Sequence, residues 1–267
     1  MASGTAPRRN RHSTVGPYKL VKKIGRGSFA EVFQAIHQET RETVAVKAIK
    51  RRSLTRKTQE NLRLEIAILS RLEHQNIVRL LSHHESDSHV YLLLEFCAGG
   101  DLSSYIRSNN RGKEASAING LPESTVRYFG LQLASGLLFL KSRNVMHRDL
   151  KPHNLLLSER SDNARLKLAD FGFARHLGEE QLAETTCGSP LYMAPEVLLR
   201  QRYSDKCDLW SAGAIIFEMA SGRPPFGGSD VVRFSRSLKT FDRPALTAGL
   251  TRIPTRAIRM AYLRRRS

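Results

Sequence analysis

A chain of 267 residues with 40% apolar composition can bury a real core in one large domain or a two-lobed one. Its three cysteines, Cys97, Cys187 and Cys207, are odd in number and have no metal-ligand spacing, which argues against a disulfide framework or zinc site and fits a reducing compartment. Of the net charge of +18, residues 229–267 supply about eight, with ten Arg or Lys against two Asp, and no nucleic-acid-reading pattern accompanies the charge, so no nucleic acid partner is expected.

Residues 1–17 are small, polar and basic and read as a disordered leader, without the apolar stretch of a signal peptide. The longest apolar run, around Ala212 to Ala220, is interrupted by Glu218 and too short to span a bilayer, so a soluble protein is expected. From Tyr18 the runs YKLVKKIG, AEVFQAIH and TVAVKAI predict successive antiparallel strands. Leu62, Ile66, Leu69 and Leu72 then recur at helical spacing, and IVRLL and HVYLLLEF read as two more strands. The sum is a small sheet with one helix.

Beyond CAGGDL the chain turns mainly helical. Pro122 and Glu123 open a helix with Val126, Phe129, Leu133, Leu137 and Leu140 on one face, while Ser108 to Gly120 reads as an exposed loop. KCDLWSAGAIIFEMASG is apolar nearly all round, which predicts a helix buried on several sides.

Five segments carry chemistry. In GRGSFAEV, Gly25 and Gly27 let the backbone turn tightly and approach a phosphate with no β-carbon in the way, although the third glycine of the usual pattern is Ala30. Lys47 sits in an apolar strand and Glu65 on an apolar helix face, where each charge is costly alone; a Lys47–Glu65 ion pair would serve both and aim the ammonium at α and β phosphates. In HRDLKPHN, Asp149 would orient the attacking hydroxyl, Lys151 would neutralise the moving phosphoryl group, and Asn154 with Asp170 of DFG would hold magnesium.

In this order these segments resemble the protein kinase superfamily over roughly Tyr18 to Gly228, together with the APE of Ala194 to Glu196 and the Asp208, Trp210 and Gly213 of DxWSxG, which the resemblance makes an anchor beneath the catalytic loop. It implies an α+β, two-lobed kinase-like fold: an antiparallel N-terminal lobe with one helix over 18–96 and a mainly helical, partial C-terminal lobe over 97–228, incomplete at its end. ATP and Mg2+ are the implied cofactors. Ile24, Gly25, Gly27, Val32, Ala45, Lys47, Glu95, Cys97 and Leu156 are the implied nucleotide contacts, with Leu94 at the gatekeeper position.

HRDLKPHN and GSPLYMAPE resemble serine/threonine rather than tyrosine kinases. FCAGGDLSSYI, DFGFAR and ETTCGSPLYMAPEVL are most similar to the autophagy-initiating serine/threonine kinases. That likeness implies protein substrates, autophagy adaptor proteins as partners and a cytoplasmic enzyme recruited to forming autophagosomal membranes. Arg148, beside the catalytic aspartate, would take a phosphoryl group on Thr185 or the adjacent Thr186, while Ser189 is read as contacting Asp149 and Lys151.

After PPFGG the pattern breaks. Val231, Phe234, Leu238 and Phe241 keep helical spacing, but the arginine that would pair with Glu196 is missing, and a buried, unpaired Glu196 would cost about 3–5 kcal/mol. Residues 229–267 therefore read as the end of a shortened working variant, a misread gene end, or a basic surface contacting acidic partners or anionic membrane. The alternative function is a catalytically impaired nucleotide-binding or scaffold module.

Overall fold

The computed structural model describes residues 14–27, 30–109, 120–161, 163–172, 174–176, 190–198 and 202–226. Ser28 and Phe29, Thr185, Thr186, Cys187 and Ser189, and the basic tail lie outside the described residues. Two compact units are present, Met1–Glu60 with Arg79–Phe96, and Asn61–Val78 with Cys97–Ser267. The second takes in residues 61–78, which the sequence reading groups with the sheet.

The first unit is an antiparallel sheet. Strands β1 (Thr14–Val15), β2 (Tyr18–Arg26), β3 (Ala30–His37) and β4 (Thr43–Lys50) precede helix α1 (Arg56–Leu69), and β5 (Leu80–Glu85) and β6 (His89–Glu95) follow it. The spatial order is β1-β2-β3-β4-β6-β5. Strand β1 falls inside the expected leader: Val15 is buried with Ala35, Val44, Val46 and Leu93 in the core of this unit. Strand β4 shows why the sheet has two faces. Val44, Val46 and Ala48 are buried, whereas Ala45 and Lys47 alternate with them and are half-buried on the other face.

Two boundaries differ from expectation. Strand β5 starts at Leu80 rather than Ile77, because the preceding residues bond within the second unit: the Val78 N–H donates to the Leu168 carbonyl at 2.9 Å. In α1 the buried residues are Leu62, Glu65, Ile68 and Leu69; Ile66 is half-buried, and Leu72 lies beyond the helix end.

The second unit continues with β7 (Gly100–Asp101), α2 (Leu102–Asn109), α3 (Glu123–Ser142), β8 (Val145–Met146), β9 (Leu155–Leu157), β10 (Leu166–Leu168), β11 (Arg175–His176), α4 (Pro195–Leu198) and α5 (Lys206–Ser221). Short sheets order as β10-β9-β7 and β11-β8. Helix α2 takes Ser108 and Asn109 out of the expected loop. It begins where it does because Asp101 caps it, its carboxylate accepting from the Ser104 N–H and hydroxyl, each at 2.9 Å. The predicted stripe of α3 is buried, from Val126 to Leu140. Helix α5 buries Cys207, Ser211, Ala212, Ala214, Ile215 and Met219 together with Asp208 and Glu218, while Leu209 remains 49% exposed. It ends at Gly222, whose φ of 77° is the left-handed stop that glycine accommodates.

Gly120, expected in an exposed loop, is pressed against α5: a β-carbon there would overlap the Ala220 carbonyl, and the next N–H, of Leu121, donates to the Met219 carbonyl at 2.7 Å. Overpacking against backbone has no flexible neighbour to yield. Gly120→Ala is expected to lower unfolding free energy by about 1–3 kcal/mol, read as a fall in the denaturant midpoint at unchanged slope.

Candidate active site

The loop between β8 and β9 gathers its polar residues into one hydrogen-bonded knot. The Asp149 carboxylate is buried, and its Oδ2 accepts from Lys151 Nζ at 2.8 Å and from Asn154 Nδ2 at 2.9 Å. Asn154 Nδ2 also donates to the Asp149 carbonyl at 2.8 Å. Pro152 opens a single 3-10 turn, Pro152–Asn154, that swings Asn154 back onto Asp149. Thus three predicted catalytic residues meet around one carboxylate.

What holds the knot comes from α5. Asp208 Oδ2 accepts from the His147 N–H at 2.8 Å, and Oδ1 from the Arg148 N–H at 2.9 Å. Both bonds are buried or partly buried, and between them Arg148 adopts φ of +72°, a left-handed conformation that costs a non-glycine residue about 1–3 kcal/mol. Burial pushes the Asp208 carboxyl above the usual carboxylate range, opposed by His147, Arg148 and the two backbone donors. His147 is fully buried; its Nε2 pairs with the Ala169 carbonyl at 3.0 Å, and its ring lies 4.8 Å from that of Phe171. Arg148 is half-buried, and its guanidinium lies over the Tyr203 ring at 5.3 Å.

Asp170 is exposed, with φ of +63°. Its predecessor fixes its place, since the Ala169 N–H donates to the Asn154 carbonyl at 2.9 Å. The two residues expected to ligate metal therefore belong to backbone segments joined by a hydrogen bond. Their donor chemistry fits magnesium: Asn154 commits its amide nitrogen to Asp149, which leaves the amide oxygen, and Asp170 supplies a carboxylate. Glu65 is buried in the same unit, and its Oε2 lies 3.6 Å from where a Gly172 β-carbon would sit.

The first unit carries the glycine and lysine elements. Gly25 pairs with Val32, Val32 with Lys47 and Lys47 with Leu92, so these four positions form one row across the sheet. Ala45 and Leu94 are paired on the same half-buried face. The Gly27 N–H donates to the Ala30 carbonyl at 2.8 Å, closing the hairpin, and Ile24 is 44% exposed beside it. The Glu95 N–H is committed to the Arg79 carbonyl at 2.9 Å. In the second unit Cys97 is half-buried, and so is Leu156, between the fully buried Leu155 and Leu157. Lys47 belongs to the first unit and Glu65 to the second.

Glu196 corrects an expectation. It is half-buried rather than buried, and it is not without an interaction partner, so the penalty foreseen for an isolated buried carboxylate does not arise. Trp210 stacks on the buried Phe226, with ring centroids 5.8 Å apart and planes within 5°. Cys207 is a free, buried thiol, its ionisation pushed up first by burial and then by Asp208.

The profile of the protein kinase domain matches residues 18–248. The chain belongs to the protein kinase domain family. The match runs past Gly228, where the sequence reading places the break, and so includes Val231, Phe234, Leu238 and Phe241. Among curated relatives, the Arabidopsis thaliana serine/threonine-protein kinase ATG1a is 47% identical over 84% of this chain and 34% of its own length. The Schizosaccharomyces pombe serine/threonine-protein kinase atg1 is 41% identical over 85% of this chain and 31% of its own. The Aspergillus fumigatus serine/threonine-protein kinase atg1 is 43% identical over 85% and 27% respectively. The chain therefore spans about a third or less of the length of these relatives. Among the described residues no helix is long and apolar enough to cross a membrane.

One buried pair escapes the sequence reading. Tyr192 donates its hydroxyl to Glu218 of α5, and the Ser211 hydroxyl donates to the Tyr192 carbonyl at 2.7 Å, which ties the PLYMAPE segment to that helix. The signal was available: a glutamate in a helix apolar nearly all round needs a partner. Burial pushes the Tyr192 hydroxyl up, with Glu218 adding to it. Burial also raises the Glu218 carboxyl above its usual 4.5, against the Tyr192 hydrogen bond and the charges of His153 and Arg107. A raised carboxyl binds its proton more tightly folded than unfolded, so its cost is absent below pH 4.5 and grows as pH rises toward the folded value. Denaturant midpoints of Glu218→Gln should therefore converge on wild type below pH 4.5 and gain relative to it above.

Proposed function

We propose that this chain is a catalytically active protein serine/threonine kinase that transfers the γ-phosphoryl group of Mg-ATP to Ser or Thr hydroxyls of protein substrates. The observation that carries this is the arrangement of Asp149, Lys151 and Asn154 around one carboxylate. It is a base poised for a hydroxyl, a cation for the transferring group and an oxygen donor for metal, held within a single loop. Asn154 and Asp170 would hold magnesium, which supplies charge neutralisation on the phosphates when bound. Lys47 would hold the α and β phosphates, the role its charge and that of Glu65 suggest in the sequence. Ile24, Gly25, Gly27, Val32 and Ala45 from the sheet, and Glu95, Cys97 and Leu156, would enclose the rest of the nucleotide. Arg148 would receive a phosphoryl group on Thr185 as the activating event.

The relatives' names, together with the hinge and activation-segment likeness, support a role in autophagy initiation, in the cytoplasm and with adaptor proteins at forming autophagosomal membranes. The test of the activity is phosphate incorporation from Mg-ATP into the chain and into a generic basic protein, compared with Asp149→Asn. Incorporation that vanishes in the variant supports the reading. Folded wild type that incorporates none, or as much as the variant, replaces it with the scaffold module.

A further inference from the structure

Arg148 is held at both ends by one short segment. Its backbone N–H is bonded to Asp208 at 2.9 Å, and its guanidinium lies 5.3 Å over the ring of Tyr203, five residues earlier in the chain. Tyr203 and Arg148 are both half-buried, so the cation is partly withdrawn from water where it meets the ring, the setting in which a cation–π contact is strongest. We infer that Tyr203 is a positioning residue for the activating phosphoryl group, keeping the Arg148 guanidinium pre-aligned to receive it. The inference rests on the reading of Arg148 as the phosphoryl ligand.

The geometry of the two contacts makes them compatible. The guanidinium carbon lies over the Tyr203 ring at 5.3 Å, and a guanidinium carries five N–H donors in one plane, so contact with one ring leaves donors for a bidentate oxyanion. The ring therefore does not compete with phosphate. It removes side-chain freedom that phosphate binding would otherwise have to remove, and that freedom is larger for arginine than for most side chains. Because Asp208 fixes the loop backbone and Tyr203 meets the side-chain head, a phosphoryl group bound at Arg148 bears on the same short 203–208 segment that holds the backbone N–H groups of His147 and Arg148, just before Asp149.

The test is titration of the purified chain with inorganic phosphate, followed through the Arg148 side-chain Nε–H resonance and assigned with Arg148→Lys. In Tyr203→Phe the ring is kept, and the ring-current shift of that resonance and the phosphate affinity should match wild type. In Tyr203→Leu the shift should disappear and phosphate should bind roughly three- to tenfold more weakly, the range expected for a partly desolvated cation–π contact. Fluorinated phenylalanines at position 203 keep the shape while draining the ring quadrupole, so affinity should fall stepwise with fluorine content; this arm stands even if the leucine variant fails to fold. Affinity unchanged across the fluorinated series overturns the inference about Tyr203 alone. A wild-type Arg148 resonance indifferent to phosphate overturns the reading of Arg148 on which it rests.

Discussion

Asp149→Asn should lower kcat for phosphoryl transfer by about 10²–10⁴-fold while leaving the KM for ATP nearly unchanged. The amide is isosteric and its oxygen can still accept from Lys151 and Asn154, the two donors that meet at Oδ2 in the wild type. What it cannot do is take a proton from, or carry negative charge toward, the attacking hydroxyl. The stability cost should be small, because the Asp208 anchor beneath the loop is untouched. A kcat within tenfold of wild type, in protein with unchanged thermal midpoint, would remove Asp149 from the proposed role. A loss confined to KM would make it a binding group instead.

The parts of this molecule legible from sequence are those where chemistry and periodicity agree. Strand β3 has the bounds of AEVFQAIH, and the α3 stripe from Val126 to Leu140 is buried as its spacing predicts. The HRDLKPHN loop is legible because its residue types make sense only together, and the structure brings Asp149, Lys151 and Asn154 within hydrogen-bonding distance. Long-range backbone hydrogen bonds are where pattern reading fails. Val78 reads as strand, yet its N–H goes to Leu168, and Gly120 reads as loop, yet it is moulded to the Ala220 carbonyl. Helix α2 was hidden by its polar composition and is set by the Asp101 cap, a local signal that a hydrophobic period does not register. The buried partners of α5 were half-legible: Asp208 comes with the family pattern, while the burial of Glu218 could be foreseen without revealing that Tyr192 meets it.

Asp208→Asn should be the most destabilising of these substitutions. Asp208 accepts two backbone N–H groups with its two oxygens, and an asparagine has one oxygen and one NH2 to offer, so one of the His147 and Arg148 donors must face another donor inside the protein. Hydrogen bonds to a charged acceptor contribute about 1.5–3 kcal/mol each, and a stranded buried donor costs a further penalty. The loss should therefore be about 3–5 kcal/mol, a large part of the 5–15 kcal/mol typical of a folded protein. Activity should fall as well, because Arg148 holds its left-handed φ only while that carboxylate fixes its N–H, and release would let the chain before Asp149 relax. Asp205→Asn is the matched control. It removes the same charge three residues away, from an ion pair with Lys141 at 3.0 Å whose lysine side is 64% exposed, and pairs of that kind contribute about 0–1 kcal/mol. Equal denaturant midpoints for the two variants would show that Asp208 acts only as a charge and not as the acceptor that shapes the catalytic loop.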